Sequence, residues 1–67
     1  MAILVRLDVM LARRKMQSKE LAREIGLSEQ SLSILKTGRA RGIRFETLDK
    51  ICGVLDCQPG DILERAP

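Results

Sequence analysis

Lys36, Arg39, Arg41 and Arg44 place four cations within nine residues, with no acidic side chain among them. That pattern suits one task above others, holding successive phosphates of a polyanion. The segment that follows has the opposite character. Residues 45–67 set Lys50 and Arg65 against Glu46, Asp49, Asp56, Asp61 and Glu64, a local balance of −3. The whole chain carries only +3, from 12 Lys and Arg against 9 Asp and Glu, so its positive charge is concentrated in the centre. The alternative is that these cations simply solvate a surface.

Other chemistry finds little support. The chain has no histidine, and Cys52 and Cys57 would need two further ligands to hold zinc. Cys52 falls on the apolar face of an expected helix with Leu48, Ile51 and Leu55, where a reduced cysteine acts as a small hydrophobe. Buried thiols are therefore expected in preference to a disulfide or a metal site. Asp61 and Glu64 lie one helical turn apart and read as capping or solvated groups, not as an acid–base pair. With no glycine-rich phosphate loop either, neither an enzyme nor a cofactor is expected.

The elements that must position the cations follow from periodicity. The chain has 67 residues, 45% of them hydrophobic, which is a folding composition with a small core. Phe45 is the only aromatic residue, so that core must be aliphatic. Ile3, Leu4 and Val5 open the chain as a strand-like segment. A helix is expected from about Leu7 to Lys15, with Leu7, Met10 and Leu11 inward and Arg13, Arg14 and Lys15 at its C-terminal turn. A second begins near Gln17 or Ser18, carries Leu21, Ala22 and Ile25 inward, and stops at Gly26. Ser28 caps a third helix over residues 28–37, held by Leu32 and Leu35 and ended by Gly38. Arg39 to Arg44 form a basic loop. A fourth helix, Phe45 to Leu55, buries Leu48, Ile51, Cys52 and Leu55, and Pro59 opens a short fifth with Ile62 and Leu63.

Two short helices joined through Gly26 have a specific geometric meaning. Small Ala22 lets the helices cross closely, and Leu27, Leu32 and Leu35 dock the third helix on the core. Ser28, Glu29, Gln30, Ser33 and Ile34 are left on its N-terminal part and outer flank, the positions that reach base edges in a helix-turn-helix. Over KELAREIGLSEQSLSILKTGRARGIRFETLDKICGVLDCQPGDILE the chain resembles the Cro/phage-repressor (XRE-type) helix-turn-helix family, and closely its small bacterial single-domain branch. The resemblance spans roughly Leu7 to Glu64.

That resemblance implies an all-α fold, a five-helix lambda-repressor-like DNA-binding domain over residues 1–67 with a short strand-like N-terminal segment. It implies base contacts from Ser28, Glu29, Gln30, Ser33 and Ile34. It also implies phosphate contacts from Gln17 and Ser18 at the start of the second helix, and from Lys36, Thr37, Arg39, Arg41 and Arg44. Gln30 suits adenine and Glu29 the cytosine amino group, each contact discriminating by about 1–3 kcal/mol. Ile34 can only pack on a thymine methyl, and Glu29 also repels phosphates.

The expected function is a sequence-specific transcriptional regulator of double-stranded DNA, acting as a repressor. The alternative is an antitoxin or adaptor that uses the same fold to bind a protein partner. A homodimer is expected, with Ile3–Val5 or Ile62–Leu63 as candidate interfaces. The opening strand should pair with the extended tail after Leu63, within one subunit or across two, or else only cover the core. The chain offers no membrane span and is expected in the bacterial cytoplasm at the nucleoid.

Overall fold

Five helices and one two-stranded sheet follow one another along residues 2–67, the part of the chain that the computed structural model describes; Met1, the first residue of the expected domain, lies outside it. The order is β1 (Ala2–Val5), α1 (Leu7–Arg13), α2 (Ser18–Ile25), α3 (Glu29–Lys36), α4 (Phe45–Leu55), α5 (Pro59–Ile62) and β2 (Leu63–Ala66). Each helix turns its apolar stripe to one core: Leu7, Met10 and Leu11 from α1, Leu21, Ala22 and Ile25 from α2, Leu32 and Leu35 from α3. Leu48, Ile51 and Leu55 of α4 and Ile62 of α5 complete it. α2 packs on both α3 and α4, and its small Ala22 is buried in the core they share. The core is aliphatic apart from the thioether of Met10, as a chain with a single aromatic residue requires.

The helix ends show why these segments stop where they do. Gly26 ends α2 at φ +76° and Gly38 follows α3 at φ +79°, both in the left-handed region. After α3, the N–H of Gly38 donates to the Leu35 carbonyl and that of Arg39 to the Ile34 carbonyl, the paired bonds of a Schellman cap. α1 ends by the same device two residues earlier than the run of basic residues suggests. Lys15 takes φ +53°, its N–H bonding to Ala12 and that of Met16 to Leu11. The turn returns Met16 to the core, and a lysine at the left-handed position gives no sequence signal.

The caps set the bounds of α2 and α3. Gln17 is the N-cap of α2, which starts at Ser18; Ser28 caps α3 as expected, and Thr37 is the C-cap of α3 instead of its last helical residue.

β1 and β2 pair antiparallel within the chain, in the register Ala2↔Ala66, Ile3↔Arg65, Leu4↔Glu64 and Val5↔Leu63. The tail strand thus begins at Leu63 itself. The Arg6 N–H donates to the Ile62 carbonyl, and the Arg6 guanidinium pairs with the Glu64 carboxylate, so both chain ends are tied together beside the core. Arg14 makes a second tie, its Nε and Nη2 donating to the Leu55 and Asp56 carbonyls at 2.7 and 2.9 Å.

Gly26 isolates the energetic cost of the turn. A Cβ built there meets nothing within 4 Å, so only the backbone conformation calls for glycine. Gly26→Ala is expected to lower unfolding free energy by about 1–2 kcal/mol, and Gly26→Asn by less. Urea unfolding of the two variants checks this; equal stability of Gly26→Ala and the parent would contradict it.

Candidate nucleic-acid interface

The frame of the interface is α2, the turn at Gly26 and Leu27, and α3. Leu32 is fully buried and Leu35 nearly so, which fixes the inward side of α3. The opposite side is free. Ser28, Glu29, Gln30, Ser33 and Ile34 are all exposed, and Ile34 keeps 42% of its surface open despite being apolar. The structure therefore brings the five residues expected at base edges onto one uncovered flank.

Their polar groups are not equally available. The Ser28 hydroxyl accepts the Ser31 backbone N–H at 3.1 Å and donates to Ser31 Oγ at 2.9 Å, so its proton is already committed to capping α3. Glu29 and Gln30 project from the first turn of α3. Gln30 carries both a donor and an acceptor, the combination that adenine presents in reverse.

The residues expected at phosphates surround this flank. Lys36, near the end of α3, donates from Nζ to Ser18 Oγ at the start of α2 at 3.1 Å. That contact joins two expected phosphate ligands and leaves the Ser18 proton and two ammonium protons for an anion. Gln17 is exposed, and its side chain makes no capping bond to the first turn of α2. The first N–H groups of that helix are therefore left without a side-chain cap, an arrangement favourable to a phosphate oxygen. Thr37 differs: its hydroxyl lies within bonding distance of the Ser33 and Ile34 carbonyls, at 2.9 and 3.2 Å. Its proton serves α3, and only lone pairs remain, which a phosphate cannot use.

The loop after α3 is organised by residues that the sequence reading passed over. Ala40 and Ile43 pack against the core, while Arg39, Arg41 and Arg44 between and beside them are exposed. The apolar residues act as two anchors that turn the guanidinium groups outward. Among the described residues none of these three guanidinium groups has an ion pair or hydrogen bond within the chain, whereas those of Arg6 and Arg14 are engaged. Arg44 is also the N-cap of α4, whose first turn has no side-chain cap. A second uncapped helix start thus lies at the arginine loop.

Phe45 was the other omission. It opens α4 directly after Arg44 and is 86% exposed. Its signal was available: the one aromatic residue in a chain whose core is otherwise aliphatic has no packing reason to be aromatic.

No cluster of three or more potential metal ligands occurs among the described residues. Asp61 accepts the Gln58 backbone N–H at 2.9 Å, the capping role expected of it, and Glu64 pairs with Arg6. No helix among the described residues is long and apolar enough to cross a membrane.

Comparison with known proteins agrees with this geometry. The chain is 56% identical over 64 residues to YozG of Bacillus subtilis strain 168, an uncharacterised HTH-type transcriptional regulator; the match covers 96% of this chain and 76% of that protein. Its fold is similar to a crystal structure of the transcriptional regulator VanUg, with a TM-score of 0.79 and 27% identity over 98% of this chain and 87% of that one. It is also similar to a putative DNA-binding protein from Bacteroides fragilis, with a TM-score of 0.82 and 24% identity over 92% of this chain and 98% of that one, a likeness of fold. The Cro/C1-type HTH DNA-binding domain matches residues 6–67, and the chain belongs to that family of DNA-binding domains.

Proposed function

We propose that the protein is a transcriptional regulator that binds double-stranded DNA as a homodimer and represses by occupying its site. Specificity would come from α3 in the major groove and affinity from the flanking cations. The observation that carries this reading is the uncovered outward flank of α3, with the Lys36–Ser18 contact at the end of the same helix and the anchored arginine loop directly after it. Within that flank Gln30 is assigned adenine, Glu29 a cytosine amino group and Ile34 a thymine methyl. Ser33 is too short to reach far, and Ser28 contributes more through its cap than through a base. Gln17, Ser18, Lys36, Arg39, Arg41 and Arg44 are assigned phosphates, and Thr37 a supporting role through α3.

Ile3 and Leu4 support a dimer. They are 61% and 40% exposed on β1, whereas in the other candidate, Ile62–Leu63, Ile62 is fully buried and Leu63 is half-buried and pairs with Val5 in the sheet. Two copies joined at β1 would present two recognition helices to successive major grooves, about 34 Å apart. A dimer that occludes its site is the simplest route to repression. An antitoxin or adaptor role would need a further protein-binding surface beside this one.

Selecting bound sites from random DNA at two salt concentrations tests the reading. We expect enriched palindromic sites with half-sites about one helical turn apart, retained at the higher salt. Recovery of random sequence at both concentrations would contradict it.

A further inference from the structure

The C-terminus of α4 holds a pair of groups that DNA binding does not use. Asp56 turns the chain at φ +50°, and the N–H groups of both Asp56 and Cys57 return to the Cys52 carbonyl, the latter at 3.0 Å. In caps of this kind the residue after the left-handed position folds back onto the residue five places before it, with an apolar contact between them. Leu11 and Met16 occupy those places at the end of α1, and Ala22 and Leu27 at the end of α2. At the end of α4 both places are cysteine. The backbone bond sets the two thiol-bearing side chains beside one another, and both line an open groove with Phe45, Leu48 and Pro59.

This corrects the expectation of buried thiols: each cysteine is free and only partly buried. Burial is the main influence raising the Cys57 thiol above its ordinary value, and the adjacent Cys52 adds to the rise. Asp61 also raises it, and Arg14 opposes. Burial thus opposes ionisation of Cys57, and both side chains are open to a reagent in the groove.

We propose that Cys52 and Cys57 form a preorganised dithiol site that closes to an intramolecular disulfide on reaction with a low-molecular-weight disulfide. The Cys52 thiolate attacks one sulfur of oxidised glutathione, breaking its S–S bond and releasing one glutathione, which takes up a proton. Cys57 then gives its proton to solvent and attacks the Cys52 sulfur of the mixed disulfide, expelling the second glutathione, which is protonated in turn. Two protein thiols are oxidised and one glutathione disulfide is reduced to two thiols. The cap supplies the proximity, because the same backbone bond that ends α4 holds the two side chains together.

Equilibrating the whole protein in glutathione buffers, folded and in concentrated urea, tests this by counting alkylatable thiols and by intact mass. The folded chain should lose two hydrogens and both reactive thiols as a monomer, with an oxidation constant at least about tenfold that of the urea-unfolded chain. Cys57→Ser should stop at a glutathione adduct on Cys52. An equal or smaller constant in the folded chain would overturn the proposal, as would oxidation only to intermolecular dimers. The comparison of folded and unfolded parent protein decides the matter even where the Cys57→Ser variant does not fold.

Discussion

Replacing Arg39, Arg41 and Arg44 together with alanine is expected to cost about 500-fold in affinity per bound protomer at 0.1 M salt, for operator and random DNA alike. The figure follows from counterion release. Each phosphate neutralised contributes about 0.9 to the slope of log K against log salt, so three arginines contribute about 2.7, or a factor of about 500 between 1 M and 0.1 M. The structure makes this triple variant interpretable. The three guanidinium groups are exposed and, among the described residues, bond to nothing within the chain, so their removal leaves no partner orphaned. Ala40 and Ile43, which anchor the loop, are untouched. The slope on random DNA should flatten by about 2.7 per bound protomer while the unfolding midpoint stays within a few degrees of the parent. Binding titrations at four salt concentrations, with a thermal unfolding curve, check both halves.

Leu32→Ala should be the most damaging single change, and it acts through the fold. Leu32 is fully buried and docks α3 against α2. Truncating a core leucine costs about 2–5 kcal/mol, and a core this small supplies only about 3–5 kcal/mol in total. The variant should therefore stand at the edge of unfolding. In thermal terms, a loss of about 3 kcal/mol corresponds to a fall of about 12–24 °C in a domain of this size. Ile34, two residues further along the same helix, is the control. It is 42% exposed, and Ile34→Ala should cost less than about 1 kcal/mol while leaving the fold intact. Similar losses at the two positions would mean that α3 is not docked as described.

Leu32 and Ile34 also show what periodicity could and could not reveal. The helical spacing of Leu21, Ala22, Ile25, Leu32 and Leu35 made the inward faces of α2 and α3 legible, because burial selects residue type strongly at those positions. Gly26 and Gly38 marked two of the turns for the same reason: few other residues accept their backbone angles. The end of α1 was not legible, since Lys15 takes a left-handed conformation that lysine does not advertise. Nor was the fate of individual polar groups. Whether a hydroxyl faces DNA or its own helix, as at Ser28 and Thr37, depends on local hydrogen bonds that residue type leaves open. Ala40 and Ile43 were hidden because two apolar residues in a six-residue basic loop have no period. Phe45 was visible only as an aromatic residue without a place in the core.

In the proposed division of binding, α3 reads sequence and the arginines hold the backbone. The ratio of operator to random-DNA affinity, measured side by side for the parent, Gln30→Ala and the triple arginine variant at one salt concentration, tests that division most directly. Gln30→Ala should lower the ratio by about 5- to 150-fold per half-site, the loss of one bidentate base contact worth about 1–3 kcal/mol in each. The triple arginine variant should weaken both affinities and leave their ratio within about twofold of the parent. A ratio that falls equally in both variants would contradict the account.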